Sequence, residues 1–244
     1  MNQNVSLEPN SSHADGSTED SGNAQKNMRR GTAQRALDFA TFPVRAVMPF
    51  RAGESERWHL SSRASERFDY VAREVLGYTL DVGCGPYDRF IKQYLDDYGM
   101  GIDVHRYDSL GEDQVFADLT RFPFEDGSFD SVTLIATIHH IPRSQRDVEL
   151  AEIHRVLRPG GNLIVTQAIP LAEILVHRVT RLHARLLGDS YDIDLLRDMH
   201  EEEEYHVKDA ELAERMGRAA FRDVTKKSFT TQWGLNRLFV GWKR

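Results

Sequence analysis

An acid followed by two spaced glycines stands at Asp81-Val82-Gly83-Cys84-Gly85-Pro86, directly after the short run Tyr78-Thr79-Leu80. Glycine takes backbone torsions closed to other residues and lets a ligand approach the main chain closely. At the carboxyl end of a parallel strand, such a turn suits a nucleoside-bearing ligand. Asp103, 22 residues after Asp81, closes a second run, Met100-Gly101-Ile102. A carboxylate there can accept hydrogen bonds from both hydroxyls of a ribose, although an Asp at a strand end also caps turns. His139 and His140 follow the run from Ser131 to Ile135 and are the candidates for proton transfer. Cys84 lies inside the glycine turn, but no base is placed beside it, so it reads as a small filler.

Two cofactors compete for this turn. The dinucleotide fingerprint is G-x-G-x-x-G with an acid about 20 residues on. Gly83 and Gly85 fit, but Asp88 stands where the third glycine belongs, which weighs against a pyrophosphate packed on the following helix. A nicotinamide dinucleotide and S-adenosylmethionine both fit the turn taken alone, and Asp103 serves either.

The surrounding elements must position these groups. Phe68, Val71, Ala72, Val75 and Leu76 fall at i, i+3, i+4, i+7 and i+8, the apolar stripe of a helix, with Gly77 as its stop. Phe90, Ile91, Tyr94 and Leu95 mark a helix after the glycine turn. Strands are expected at Met100–Val104, Gln114–Leu119, Ser131–Ile135 and Asn162–Gln167, with a helix from Ser144 to Leu157 opened by a capping box of Ser144 and Asp147. Arg158-Pro159-Gly160-Gly161 is expected to stop that helix. Strands alternating with helices define an α/β, doubly wound, mostly parallel sheet. A helix from Lys208 to Met216 and strands Phe221–Thr230 and Leu235–Trp242 follow, the last two close enough to pair antiparallel.

At 244 residues and net charge −7, the chain suits one domain with extra tail. The mild acidity argues against a nucleic-acid partner. One cysteine leaves no disulfide framework and no cysteine-based zinc site, and no metal is expected; with no apolar leader, a cytoplasmic location is expected. Residues 1–30 have the composition of a disordered tail, and 31–61 form an arm or cap. Residues 62–244 make the main domain, including an insert at 168–207. In the arm, Leu37, Phe39, Phe42, Val44, Val47, Met48 and Phe50 interleave with arginines. A helix packed on the domain is expected ahead of an arm over the active site or on a membrane surface, with Pro43 and Pro49 breaking any long helix.

Taken in order, the motifs resemble the class I S-adenosylmethionine-dependent methyltransferases, in their small-molecule subgroup. The likeness covers roughly Phe68 to Gln167. It is carried by Leu80-Asp81-Val82-Gly83-Cys84-Gly85, Gly101-Ile102-Asp103, Ala117-Asp118-Leu119, Phe122-Pro123-Phe124 running to Phe129-Asp130-Ser131-Val132, Ile138-His139-His140, and Glu152-Ile153-His154-Arg155-Val156-Leu157-Arg158-Pro159-Gly160-Gly161. The resemblance implies a seven-stranded Rossmann-like sheet ending in an antiparallel hairpin, and S-adenosyl-L-methionine as cofactor. It implies that Asp81, Gly83 and Gly85 line the methionine end, that Asp103 holds the ribose, and that Val104 lies against the adenine. Asp118 would accept from the adenine amino group with the Leu119 backbone beside it, and Ala136 would flank the cofactor. Tyr87 departs from the pattern, standing where the family often has a small residue; a somewhat different loop path and a narrower pocket are expected.

The reaction expected is in-line methyl transfer to a small-molecule acceptor. His140 is the first candidate for a general base toward a hydroxyl acceptor, with Tyr191, His200 and His206 as alternatives on the insert. Leu171, Ile174, Leu175, Val179, Leu182 and Leu186 form one face of that insert, opposite His177, Arg178, Arg181 and Arg185. Such a basic amphipathic helix suits a lid, a peripheral membrane contact or a dimer surface. An amphipathic or anionic acceptor, and a monomer or homodimer, are expected. Alternatives from other classes are a nicotinamide oxidoreductase and a non-catalytic protein that binds S-adenosylmethionine.

Overall fold

The computed structural model describes residues 30–47, 61–116, 118, 120–169 and 207–244. In chain order these form α1 (Thr32–Val47), α2 (Arg63–Ala72), β1 (Thr79–Val82), α3 (Arg89–Tyr94), β2 (Gly99–Ile102), β3 (Phe129–Ile135), α4 (Arg146–Val156), β4 (Leu157–Ala168), α5 (Asp209–Arg218), β5 (Arg222–Ser228) and β6 (Asn236–Trp242). The sheet runs β2-β1-β3-β4-β6-β5. The first four strands are parallel, and β6 is inserted antiparallel between β4 and β5. From β1 the chain goes first to one side and then, through β3, to the other. The gap between the carboxyl ends of β1 and β3 is therefore the switch point, where open α/β sheets bind ligands.

Alternation along the strands builds a core on each face. Leu163, Val165 and Phe239 join the layer of Leu150, Ile153, Leu212 and Met216 from α4 and α5. Ile164, Leu238 and Val240 point the other way, to Val71, Phe90 and Ile91 from α2 and α3. Both faces are covered, as a parallel sheet requires.

The described sheet has six strands rather than seven. The stretch expected as a strand from Gln114 contributes one isolated parallel bridge, Asp103 with Val115. Gln114 itself belongs to a 3-10 turn, and its side-chain Nε2 donates to the Gly101 carbonyl at 2.8 Å. A side chain thus takes a place on the β2 edge that a ladder would have filled. Ala117 and Leu119 lie outside the described residues.

Two expected boundaries also move. The helix before β4 begins after Gln145 with no side-chain cap, so the Ser144–Asp147 box does not form. The Arg158-Pro159-Gly160-Gly161 turn belongs to the start of β4. A Cβ on Gly161 would lie 2.7 Å from the Asp130 carbonyl, so glycine there lets β4 close on β3.

The arm forms the expected helix packed on the domain, but Pro43 does not break it. α1 runs 16 residues straight through Pro43. Proline has no N–H to give the carbonyl four residues back, here that of Phe39. That oxygen instead accepts from Trp233 Nε1 at 3.0 Å, and Phe39 and Phe42 pack on the same indole. Arg45 anchors the helix end from a buried position, donating to Glu66 Oε2 at 3.0 Å and to the Ser61 carbonyl at 2.7 Å. Gln232 also donates to Glu66 at 2.7 Å. Pro49 and residues 170–206, where the insert helix was expected and which include Tyr191, His200 and His206, lie outside the described residues.

Candidate functional site

β1 delivers Asp81 into the interior at the switch point. Its carboxylate is buried and accepts from Thr133 Oγ1 of β3 at 2.6 Å. Burial pushes its pKa up to about 8, with Asp88 and Asp103 acting in the same direction and the Thr133 hydrogen bond opposing. The chain then turns through Gly83 and Gly85 at φ +78° and +71°. A Cβ on Gly83 would fall 2.5 Å from Thr137 Cγ2, so the glycine is what lets the turn touch the chain leaving β3. Nothing stands within 4 Å of the corresponding position on Gly85, which leaves open space above the turn.

Asp103, 6% exposed, closes the turn from the other side. Its Oδ2 accepts from the Gly85 N–H at 2.9 Å and its Oδ1 from the His105 N–H at 3.0 Å. Each oxygen keeps a further lone pair for a ligand hydroxyl. The cap expected of a strand-end Asp therefore forms, and it leaves the carboxylate able to accept from the ribose expected there.

Asp88 solves the problem of the missing third glycine. It adopts the left-handed torsion, φ 45°, that glycine would take. Its carboxyl tucks inward, where a Cβ on Gly101 would lie 2.1 Å from its Oδ1, and Gln114 Nε2 donates to its Oδ2 at 3.1 Å. Burial raises the Asp88 pKa, with Gln114 opposing. The Gly101 of Gly101-Ile102-Asp103 was the one sequence signal for this arrangement; the Gln114 clamp had none. Tyr87 is 57% exposed with the Arg89 guanidinium over its ring, so the bulky residue is turned outward.

Three acids, Asp81, Asp88 and Asp103, therefore surround one short turn. Together with burial they push the Cys84 thiol far up, which keeps it a thiol and not a nucleophile. The same field favours a cationic ligand centre.

The other wall is the exit from β3. Ala136 takes φ +57°, a strained value for a residue with a Cβ, and its N–H is held by Thr166 Oγ1 of β4 at 2.9 Å. A 3-10 turn, Ile138–His140, follows. It buries Ile138 and leaves both histidines half-buried, their rings 4.1 Å apart. Of the residues expected to meet the adenine, Val104 is 45% exposed. Asp118 is exposed, its Oδ1 accepting from Thr120 N–H and Oγ1, which lower its pKa. Leu119 is not among the described residues.

The structure thus brings Asp81, Gly83, Gly85, Asp103 and Ala136 to one switch point. Thr133, Thr137 and Thr166 join them, hydroxyl residues in strand and turn positions that carried no pattern of their own. A hollow of about 300 Å³ beside the β2 exit is lined by Arg106, Leu110, Gly111, Glu112 and Val115, and none of the expected cofactor residues lines it. Among the described residues no group of His, Cys, Asp and Glu side chains could hold a metal.

Sheet order, terminal antiparallel insertion and acid–glycine turn together define the fold of the class I S-adenosylmethionine-dependent methyltransferases. Residues 80–165 match the family described as methyltransferase domain. A protein of Encephalitozoon cuniculi bearing a methyltransferase name is 32% identical over 119 residues, covering 48% of this chain and 55% of that protein. The ubiquinone/menaquinone biosynthesis C-methyltransferase UbiE of Brucella anthropi is 28% identical over 142 residues, 53% of this chain and 50% of the relative. The match with each spans about half of that relative's length. Among solved structures, a SAM-dependent methyltransferase of Thermotoga maritima superposes with a TM-score of 0.52 at 20% identity, covering 78% of this chain and 95% of its own.

Proposed function

We propose that this chain is an S-adenosylmethionine-dependent methyltransferase acting on a small-molecule acceptor. The observation that carries the reading is the turn itself. Its acids, its outward opening at Gly85 and its contact with the β3 exit fit a positively charged sulfonium nucleoside better than a pyrophosphate, whose negative charge would add to the burial that already raises Asp81 and Asp88. When bound, the cofactor supplies a methyl group already activated by the sulfonium charge.

The chain's own task is then positioning. Asp103 holds the ribose hydroxyls while keeping the Gly85 N–H in place. Asp81 and Asp88, their pKa raised by burial, would be drawn to ionise by the sulfonium charge at the methionine end. Val104, Asp118 and the Leu119 backbone are assigned to the adenine, and Ala136 to the flank facing the transferred methyl. Holding an acceptor in line within such a site supplies up to roughly 7–11 kcal/mol in the best intramolecular cases. His140, on the turn after β3, is assigned as the base that removes a hydroxyl proton; a carbon or amine acceptor would need none. The likeness to a quinone-pathway C-methyltransferase over half its length, with the arginine-rich amphipathic sequence of the insert, supports an amphipathic or anionic acceptor. No described helix is long and apolar enough to cross a membrane.

Calorimetry tests the reading directly. S-adenosylhomocysteine should bind and NAD should not; the reverse result overturns it. Asp103→Ala should weaken S-adenosylhomocysteine about tenfold or more, since it removes a charge-assisted acceptor; unchanged affinity would mean the ribose lies elsewhere. With a hydroxyl acceptor found by isotope-labelled cofactor in extract, His140→Ala should cut turnover roughly 100-fold or more. Full turnover in that variant removes His140 from the role.

A further inference from the structure

α1 is turned inside out. A surface helix ordinarily keeps its apolar stripe against the core and its polar face in water. The inward side of α1 holds Phe42, but also Asp38 and Arg45, both buried. Asp38 accepts from Gln34 Nε2 and from Ser61 Oγ, each at 3.0 Å, and Arg45 pairs with Glu66. Outward lie Ala36, Leu37, Phe39, Ala40, Pro43 and Val44, all exposed and none of them charged. Trp233, 53% exposed, extends this apolar side past Phe39.

A contiguous apolar surface of this kind marks a contact site, and the chain itself supplies the occupant. β4 ends at Ala168, and the next N–H, that of Ile169, donates to the Leu235 carbonyl at 2.9 Å, close in the chain to Trp233. The chain returns at Val207, which is buried, and Gln167 Nε2 donates to Asp209 Oδ1 at 3.0 Å across the return. The insert therefore leaves and re-enters beside the apolar side of α1. Its first stretch sets Leu171, Ile174, Leu175, Val179, Leu182 and Leu186 at helical spacing. At 1.5 Å per residue a helix over 171–186 would be about 24 Å long, the length of the 16-residue α1. Other occupants fit less well. The link after α1 reads Arg51-Ala52-Gly53-Glu54-Ser55-Glu56-Arg57, with no large apolar side chain. A membrane surface calls for basic residues around the apolar face, and Arg35 and Arg45 are turned to Tyr70 and Glu66.

We propose that residues 171–186 seat their apolar side on the outward face of α1 and on Trp233, so that arm and insert form one unit. The inference stands apart from the cofactor reading. It gives the reversed polarity of α1 a physical reason: Ser61 and Glu66 satisfy its polar groups on the inside, and the insert covers its apolar groups on the outside. His177, Arg178, Arg181 and Arg185 then stay in water. The seat lies on the edge of the sheet where β1 and β3 also end, since β6 begins at Asn236 opposite Ala168 at the carboxyl end of β4.

Hydrogen exchange of the full chain, read by mass spectrometry, is the test. Amides of 171–186 should be protected in the wild type. Val44→Asp changes a side chain that is half exposed, yet it should speed their exchange roughly tenfold or more, the worth of one buried aliphatic anchor. The amides of β4 should keep their protection. Leu175→Asp should act alike, and combining it with V44D should add little. Arg181→Asp, on the opposite side of the stretch, should leave 171–186 protected. No protection in the wild type, or protection that V44D leaves unchanged, would overturn the proposal. So would protection that rises with protein concentration, as a second copy would produce, or that appears only with anionic lipid vesicles. Equal losses in L175D and R181D would also overturn it. If V44D does not fold, L175D against R181D still decides.

Discussion

Substituting Gly83 by alanine puts two separable penalties on the cofactor turn. The residue sits at φ +78°, and the added Cβ would lie 2.5 Å from Thr137 Cγ2 and 2.6 Å from its Oγ1. The left-handed torsion costs a residue with a Cβ roughly 1–2 kcal/mol. The overlap with a packed side chain costs roughly 1–3 kcal/mol. Gly83→Ala should therefore destabilise by about 2–5 kcal/mol, a large share of the 5–15 kcal/mol typical of a domain. Relief by displacement would push the 136–140 turn outward and carry Ala136 and His140 with it, so S-adenosylhomocysteine affinity should fall as well. Thr137→Ala deletes both clashing atoms and leaves only the Thr137 Cβ position at 3.2 Å. The double variant should regain the steric part, about 1–3 kcal/mol, but not the torsional part. Urea unfolding of the four proteins in a double-mutant cycle reads this coupling directly. Strict additivity would refute the claim that contact between the two turns requires glycine.

Two further outcomes follow from other groups. Asp81 holds its proton up to about pH 8 in the folded protein, as does Glu149, whereas in the unfolded chain both ionise near pH 4. Between those values the native state binds more protons, so each contributes a loss of stability as pH rises, at most about 1.4 kcal/mol per unit, that levels off above about pH 8. The stability of Asp81→Asn relative to wild type should thus climb from pH 5 to 8; a flat difference in urea unfolding would show that Asp81 is ionised throughout. In the arm, Trp233→Phe should cost about 1–2 kcal/mol by stripping the Phe39 carbonyl of its donor. Pro43→Ala in that background should recover part of the loss by restoring the helical N–H, and no recovery in thermal or urea unfolding would refute the exchange of donors.

Much of the fold was legible because its signals are local. The stripe of Phe68, Val71, Ala72 and Val75 gave α2, although the helix ends at Ala72 with Gly77 further on at φ +49°. The run ending at Ile135 gave β3, which begins two residues earlier than expected, at Phe129. The terminal strands pair antiparallel as their closeness in sequence required. The stretch from Gln114 misled because its run of apolar residues matched a strand while the Gln114 side chain took the edge carbonyl. Pro43 misled for the converse reason: a helix-breaking residue is tolerated where a distant donor repairs the broken hydrogen bond.

The sequence by itself determined the glycine turn, the acids Asp81 and Asp103, and the alternation that makes a doubly wound sheet, since each depends on torsions and periods set within a few residues. Only the tertiary structure decided that Asp88 could replace a glycine, that Thr137 would press on Gly83, that Gln114 would clamp Asp88, and that Trp233 would serve a carbonyl 194 residues away. Those outcomes depend on which polar groups are removed from water together, and a chain reveals that only when its distant parts are packed against one another.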